Sequence, residues 1–291
     1  MRMISLRCLT VLSVVASATV TLSAQAPAPK IDFPAASPEA TIKQRVGITT
    51  VEITYSRPSV KGRVIFGGLE PFGEVWRAGA NSATKVTFST PVKLNGKSVP
   101  AGTYGLFALL GKEEWTLILN NVPNQWGAYE YNAKDDVVRV TAKPVTLPDL
   151  VETFTIDFND LRDESASLNL SWEHTRVSVK LEVDVVSVLV PQIEAVMASD
   201  VAKKPYFAAA MFYLDHNLDL KKAVAWMDTL IAQQPDAFYL TYRKAKILAK
   251  MGDKDGAIAT ANASLALATK SSGAIKDEYV RLNHELIDSL K

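Results

Sequence analysis

Cysteine is nearly absent from this sequence. The 291 residues contain a single cysteine, Cys8, which lies in an N-terminal leader that we expect to be cleaved. The mature chain would then have no disulfide, no thiol nucleophile and no thiolate metal ligand. Its stability must come from packing alone.

Histidine is scarce, and neither sign of charge is in excess. His174, His216 and His284 occur in no zinc-binding spacing, so no metal and no cofactor are expected. The sequence has no phosphate-binding glycine loop and no Gly-x-Ser-x-Gly nucleophile elbow. The 32 basic residues balance 31 acidic ones, so nucleic acid is not expected as a partner.

The N-terminus has the features of a secretory signal, which we place at residues 1–24. Arg2 and Arg7 precede an apolar run from Leu9 to Leu22, and small residues follow it. The run is short and rich in Ser and Thr, so we expect cleavage and no integral membrane segment afterwards. Residues 25–38 are rich in Ala and Pro and are interpreted as a linker. The protein is therefore expected in the periplasm or outside the cell.

Residues 39–186 alternate apolar and polar side chains, which is typical of β-strands. Roughly ten short strands with polar turns and no intervening helix predict antiparallel sheets closed as a sandwich or a barrel, and we expect an antiparallel β-sandwich domain. The strongest local signal is Asn95-Gly96, which predicts a type I′ turn in a hairpin from Val92 to Val99.

Residues 187–291 have apolar residues at helical spacing, and Pro191 is expected in a first helical turn. Leu214, Leu248 and Leu282 recur at 34 residues, the tetratricopeptide period. The fold class is therefore α+β, with about two and a half tetratricopeptide-like repeats after the β-sandwich. Because such arrays need about three repeats, we expect the helices to pack against the β domain.

Five short motifs lie in order along the β segment. They are Tyr55-Ser-Arg-Pro-Ser-Val-Lys-Gly-Arg63, Val75-Trp-Arg-Ala-Gly-Ala-Asn81 with Thr84, Pro100-Ala-Gly-Thr-Tyr104, Trp115 with Asn120, and Trp126-Gly127 with Tyr129. Together they resemble the domain of unknown function 2911 family of secreted bacterial proteins, in which helical repeats also follow the domain. The resemblance marks Arg57, Arg63, Trp76, Arg77 and Asn81 as motif positions and implies no activity.

Arg57 and Arg63 flank a short loop, and a guanidinium removed from water needs a partner. In one interpretation, Glu74 or Asp136 pairs with them and pins the loop. In the other, the two arginines hold the carboxylate or phosphate of a ligand.

Trp76, Arg77 and Asn81 also admit two interpretations. Trp76 could floor a pocket in which Arg77 and Asn81 are polar anchors, because Gly79 permits a sharp bend between them. Alternatively, Trp76 belongs to the core, Arg77 pairs with Glu74, and Asn81 bonds its own backbone in a turn.

Trp126 and Tyr129 lie in a long loop rich in aromatic and amide side chains. Aromatic faces beside amides suit a sugar ring or a peptide. The alternative is that these aromatics cover one end of the sandwich.

Three functions follow from these observations. The first is a non-catalytic envelope protein that binds a glycan, a peptide or a small anionic ligand. Its ligand would lie in one cleft formed by Arg57, Arg63, Trp76, Arg77, Asn81, Trp126 and Tyr129.

The second function is a hydrolase, which requires Glu74, Asp135 or Asp136 near Arg77 with a raised carboxyl pKa. The third is an assembly protein whose helical repeats hold a protein partner. That function would expose three tyrosines in a groove, namely Tyr213, Tyr239 and Tyr242.

Overall fold

The computed structural model describes residues 33–291. The expected signal sequence, residues 1–24, and the first part of the linker therefore lie outside the described residues. Residues 37–291 form one compact unit, in which strands come first and helices follow.

The described chain contains eleven strands, and every pairing between them is antiparallel. They are β1 (Glu39–Val46), β2 (Thr49–Ser56), β3 (Val75–Trp76), β4 (Ala80–Phe88), β5 (Val92–Leu94), β6 (Lys97–Val99), β7 (Gly102–Leu109), β8 (Trp115–Asn120), β9 (Asp136–Ala142), β10 (Val145–Asn159) and β11 (Ser165–Val183).

These strands form two sheets that share one core. The larger sheet has the order β1-β2-β4-β7-β8-β9, with β3 also paired to β7, and the smaller has the order β10-β11-β5-β6. Alternate residues of β2, namely Val51, Ile53 and Tyr55, are buried, as the period of two predicts. They belong to the same apolar cluster as the buried side chains of β11, such as Leu168 and Leu170.

The Asn95-Gly96 turn is confirmed. It joins β5 to β6, and Asn95 and Gly96 have φ angles of 44° and 80°, the positive values that a type I′ turn requires. The Asn95 side chain also donates to the carbonyl of Thr141 and accepts from the backbone N–H of Lys180, which ties the turn to both sheets.

Six helices follow the strands. They are α1 (Val185–Ala198), α2 (Tyr206–Asp215), α3 (Leu220–Gln233), α4 (Phe238–Met251), α5 (Lys254–Lys270) and α6 (Ala274–Leu290). Across residues 33–291, none of the helices is long and apolar enough to cross a membrane.

The first helix begins earlier than the sequence predicted. The Asp184 carboxylate accepts a hydrogen bond from the Ser187 N–H at 2.9 Å, which caps α1 and lowers the pKa of Asp184. Pro191 consequently lies inside α1 and not in its first turn, which corrects the expected position. The cap on Asp184 determines where the helix starts, and the proline is accommodated further along it.

The helices pack against the sheets, as expected from the sequence. Val186 and Leu189 of α1 and Phe212 of α2 contact the core that the two sheets share. An offset of 34 residues places α2 within α4 and α3 within α5. The recurrence of leucines in the sequence thus corresponds to a recurrence of helices.

Candidate functional site

An exposed tryptophan lies beside a small hollow on the larger sheet. Trp126 is 66% exposed, whereas most aromatic side chains of the β segment are buried. The hollow has a volume of about 280 Å³. Its lining consists of Ser82, Ala83, Lys85, Pro123, Asn124, Gln125 and Trp126.

Backbone hydrogen bonds hold the Trp126 loop against the start of β4. The N–H of Ala83 donates to the carbonyl of Gln125 at 2.9 Å, and the N–H of Gly127 donates to the carbonyl of Asn81 at 3.0 Å. Ser82 and Trp126 form an isolated antiparallel bridge between these two bonds. Trp126 therefore lies in a hydrogen-bonded stretch of backbone and not at a free loop tip.

Asn120 anchors the base of this loop. Its side chain is fully buried, and its Nδ2 donates to the Asp136 carboxylate at 2.9 Å and to the carbonyl of Asn132 at 3.1 Å. Its Oδ1 accepts the N–H of Val122 at 3.0 Å. One buried amide thus connects the two ends of the segment that carries Trp126, and burying it is tolerated because its polar atoms are bonded.

Asp136 extends this network to the outer edge of the loop. Its carboxylate accepts from the hydroxyl of Tyr131 at 2.7 Å and from Nε of Arg139 at 2.8 Å. Burial and the neighbouring Asp136 raise the pKa of Tyr131 to about 12, so this hydroxyl keeps its proton.

Asn81, Trp126 and Tyr129 lie together at this site. Asn81 is exposed, with a φ of 58°, and its Nδ2 donates to the hydroxyl of Ser56 at 3.2 Å. Tyr129 is 85% exposed, and its ring lies over Gly127, the residue bonded to Asn81. Of the seven predicted site residues, Trp126 alone lines the hollow, and Asn81 and Tyr129 are its neighbours through the backbone bond between Asn81 and Gly127.

Arg57 does not pair with Glu74 or Asp136. Its Nε donates to the carbonyl of Phe154 at 3.0 Å and its Nη2 to the hydroxyl of Thr155 at 2.8 Å, both on β10 of the opposite sheet. The expected carboxylate partners are therefore wrong. Arg57 instead links the two sheets through these hydrogen bonds.

Arg63 bonds within its own loop. Its Nε donates to the carbonyl of Val60 at 3.0 Å and its Nη2 to the carbonyl of Ser59 at 2.6 Å. Here too the partner is backbone and not one of the expected carboxylates. Neither Arg57 nor Arg63 lines the hollow at Trp126.

Trp76 is a core residue, as the second interpretation of the sequence proposed. It is 2% exposed, its indole N–H donates to the carbonyl of Gly79 at 3.0 Å, and its ring stacks on Trp172 at 5.9 Å. Phe154 packs edge-on against it at 5.0 Å. An indole enclosed in this way has no face left for a ligand, so Trp76 is removed from the predicted binding set.

Arg77 follows Trp76 and is only partly exposed. Its Nε is buried without a hydrogen-bond partner in the part of the chain that the structure describes. The pairing with Glu74 that the sequence suggested is absent from the ion pairs of residues 33–291.

Glu70 is the residue that the sequence analysis missed. Burial raises the pKa of its carboxyl to about 7, and the positive charges of Arg77 and Arg63 oppose this effect. The raised pKa therefore belongs to Glu70, a carboxyl that the hydrolase interpretation did not include. The sequence contained one indication of a buried carboxyl. Glu70 is the one acidic residue in the otherwise uncharged stretch Ile65-Phe-Gly-Gly-Leu-Glu-Pro-Phe72.

The comparisons with known proteins bear on the β segment. Residues 37–181 match the family model described as protein of unknown function (DUF2911). The match supports the resemblance carried by the five motifs, and it ends before the helices begin. No curated protein and no solved structure matches the chain.

The helices that follow the DUF2911 segment do not present the tyrosine surface that the third function requires. Tyr213 and Tyr242 are buried, and only Tyr239 is exposed. The hydroxyl of Tyr213 donates to Glu194 of α1, and burial raises the pKa of Tyr213 to about 12. The expected groove of three exposed tyrosines is therefore wrong, because two of them pack between helices.

The structure also bears on metal binding and contains a second hollow. Within residues 33–291, no group of three or more His, Cys, Asp or Glu side chains is placed to hold a metal ion. A larger hollow, of about 550 Å³, lies where β11 of the DUF2911 segment meets α1, and none of the predicted site residues lines it.

Glu70→Gln should raise the melting temperature at pH 8. The ordinary pKa of this side chain is 4.5, and in the folded protein it is about 7, so the folded state binds more protons between these values. Stability therefore falls as pH rises through this window, and the penalty is complete above pH 7. Glutamine cannot ionise, so we expect a gain of about 2–4 °C at pH 8 and none at pH 4.

Thermal melts followed by circular dichroism between pH 4 and pH 8 measure this gain. Glu74→Gln, at an exposed position four residues away, is the control and should leave the melting temperature unchanged. A Glu70→Gln gain of the same size at every pH would contradict a buried carboxyl.

Proposed function

We propose that this protein is a non-catalytic binding module of the cell envelope that holds one ring of a neutral glycan against Trp126. The observation that carries the proposal is the exposure of this indole beside a hollow with amide side chains. Binding would involve Asn124 of the same lining, with Tyr129 as a second exposed aromatic in the same loop.

The exposure of Trp126 supports a ligand because the structure holds this side chain outward. Gln125 and Gly127 pair with the backbone of Ala83 and Asn81, which fixes the backbone on both sides of Trp126 and keeps the loop in this position. Val122 and Tyr129 of the same loop are also exposed, and several exposed apolar side chains in one place are typical of a binding surface.

The lining of the hollow favours a sugar over a charged ligand or a long peptide. The apolar face of a sugar ring stacks on an indole, and amides such as that of Asn124 satisfy its hydroxyl groups. Lys85 is the only ionised side chain in the lining. At about 280 Å³ the hollow is near the lower limit of about 300 Å³ for ligand sites, which suits a single ring.

Three further properties are also proposed: the sandwich arrangement of the sheets, the repeat character of the helices, and export. We infer that the two sheets form a β-sandwich, since their inward side chains share one core. We also infer that α2 to α6 are tetratricopeptide-like repeats, on the basis of the 34-residue recurrence. Export to the periplasm or beyond is proposed from the N-terminal sequence alone.

The two alternative functions receive less support. Hydrolysis needs an acidic group at the bound ligand, and Glu70, the carboxyl with a raised pKa, does not line the Trp126 hollow. An assembly role through the helices was expected to expose three tyrosines, and two of them are buried.

Trp126→Ala should weaken glycan binding about tenfold, since loss of one stacking contact is worth about 1.4 kcal/mol on this scale. The measurement is isothermal titration of the mature wild-type protein and of the variant with neutral cell-wall oligosaccharides. Trp76, Trp115 and Trp172 are buried and Trp226 of α3 is partly exposed, so a blue shift of the wild-type fluorescence that Trp126→Ala abolishes would report Trp126.

The matched control is Tyr239→Ala, which removes an exposed aromatic from α4 and should leave the affinity unchanged. Equal affinities of wild type and Trp126→Ala would overturn the proposal. So would the absence of a saturable response to every neutral oligosaccharide in the series.

A further inference from the structure

The hollow of about 550 Å³ where β11 meets α1 has the dimensions of a ligand site. Ligand sites usually have volumes of about 300–1,000 Å³, and they are frequent where two domains meet. Strands of the smaller sheet form one side of this hollow, and the start of α1 forms the other. We call it the junction hollow.

Part of the junction hollow is apolar. Val92 of β5 and Val183 of β11 are cross-strand partners, and both belong to the core that the two sheets share. Val186 and Val188 reach the hollow from the start of α1, and Val188 is 37% exposed. A ligand with an apolar body would remove this surface from water, which favours binding.

The charge of the lining is mostly negative. Glu164, Glu182 and Asp184 supply three carboxylates, whereas Lys93 is the one cation among the described residues that line the hollow. A concave site with charges of predominantly one sign attracts ligands of the opposite sign. The lining therefore favours a cation with an apolar body.

Two of the carboxylates are held by the first turn of α1. Oε1 of Glu164 accepts the N–H of Val185 at 3.3 Å, and Oδ1 of Asp184 accepts the N–H of Ser187 at 2.9 Å. Each bond uses one oxygen of its carboxylate, so the second oxygen can accept a hydrogen bond from a ligand. The Ser187 bond also lowers the pKa of Asp184, which keeps this carboxylate ionised at neutral pH.

Strand geometry brings the third carboxylate to the same place. Glu182 and Asp184 are two residues apart at the end of β11, where Asp184 still has extended backbone angles, so their side chains point to the same face. The residue between them, Val183, donates its N–H to the carbonyl of Glu164 at 2.9 Å. Three carboxylates thus meet around one short stretch of backbone, and their mutual repulsion falls when a cation binds among them.

A bare metal ion does not match this lining. Ca²⁺ takes about six to eight oxygen ligands at about 2.3–2.6 Å, and no three acidic side chains of residues 33–291 are grouped to hold a metal ion. The valines of the hollow would have no role in a metal site. The lining matches an organic cation better, because such a cation carries carbon as well as charge.

We propose that the junction hollow binds a small alkylammonium ion. The ammonium group lies among the three carboxylates, and the alkyl chain lies against the valines of β5 and α1. An ammonium group donates three hydrogen bonds, which matches the number of carboxylates. The site is separate from the proposed glycan site, because the two hollows have no lining residue in common.

The test is isothermal titration of the mature protein with hexylammonium at pH 7. Hexanoate, which has the opposite charge, and hexanol, which is neutral, have chains of the same length and serve as comparison ligands. We expect saturable binding of hexylammonium, binding of hexanol weaker by at least about tenfold, and no binding of hexanoate. Butylammonium should bind about tenfold more weakly than hexylammonium, because each buried methylene contributes about threefold to fourfold in affinity.

Asp184→Asn and Glu182→Gln should each reduce the hexylammonium affinity about fivefold to tenfold. Asparagine caps a helix as well as aspartate does, so Asp184→Asn removes the charge and keeps the start of α1. The matched control is Glu52→Gln, which removes the charge of a strand glutamate that also pairs with a lysine, Lys43, at 3.6 Å. This change lies on the larger sheet and should leave the affinity unchanged.

Lys93→Gln gives a readout that a merely structural effect would not produce. Lys93 is exposed and is the cross-strand partner of Glu182, so its ammonium competes with the ligand for the same carboxylates. Removal of this charge should tighten hexylammonium binding about threefold. Damage to the hollow would weaken binding instead.

Three results would contradict the proposal. They are hexanoate binding as tight as hexylammonium binding, wild-type affinity in both Asp184→Asn and Glu182→Gln, and displacement of hexylammonium by Ca²⁺ at the same concentration. Melting curves show whether each variant is folded under the titration conditions. The comparison of the three ligands on the wild-type protein does not depend on any variant.

Discussion

Trp76→Ala should destabilise the protein by about 3–5 kcal/mol, the range for removal of a large aromatic from a packed core. The indole stacks on Trp172 and packs edge-on against Phe154 and Trp115. Its removal leaves a void between the two sheets and frees the buried carbonyl of Gly79. Because single domains are stable by only about 5–15 kcal/mol, a loss of this size removes a large fraction of the total.

Equilibrium unfolding in urea, followed by circular dichroism, measures this loss. Trp126→Ala is the matched control, since it removes the same side chain from an exposed position and should cost less than about 0.5 kcal/mol. A Trp76→Ala cost below about 1 kcal/mol, together with weaker ligand binding, would show that Trp76 faces a ligand and not the core.

Asn120→Ala should cost about 2–4 kcal/mol and should also loosen the segment that carries Trp126. The substitution leaves the Asp136 carboxylate, the carbonyl of Asn132 and the N–H of Val122 without their shared partner. Each buried group that loses its hydrogen bond costs about 1–3 kcal/mol, and the loop end can recover part of this by hydration.

Two measurements separate the effects of Asn120→Ala. Urea unfolding gives the stability loss, and hydrogen exchange at the Ala83 and Gly127 amides, which pair β4 with this segment, reports how freely the segment moves. Asn121→Ala, at the exposed neighbouring position, should change neither quantity. Wild-type stability in Asn120→Ala would mean that the buried network does not anchor the loop.

Local chemistry explains why much of the fold could be predicted. Strand alternation depends on residues two apart, and the Asn95-Gly96 turn depends on two residues that accept positive φ angles. The helices likewise follow from apolar spacing and from the recurrence of Leu214 and Leu248 at 34 residues. The start of α1 was misplaced because the cap at Asp184 competed with the signal expected from Pro191.

The candidate site was harder to predict because its members are distant in sequence. Arg57 bonds Phe154 and Thr155, almost one hundred residues away, and no pattern around Arg57 specifies that pairing. Asn81 and Trp126 meet because β4 lies beside the loop after β8, which is a consequence of sheet order. The aromatic and amide character of the site could be predicted from the sequence, whereas the identity of the residues that form it could not.

The sequence by itself determined the class of each segment, the Asn-Gly turn, the likeness to the DUF2911 family and the set of polar motif residues. Only the tertiary structure decided that Trp76 lies in the core, that Trp126 lies at the surface, and that burial raises the pKa of Glu70. The physical reason is that secondary structure depends on neighbours in the chain. Burial, and with it the pKa of a carboxyl, depends on which strands and loops close over a residue.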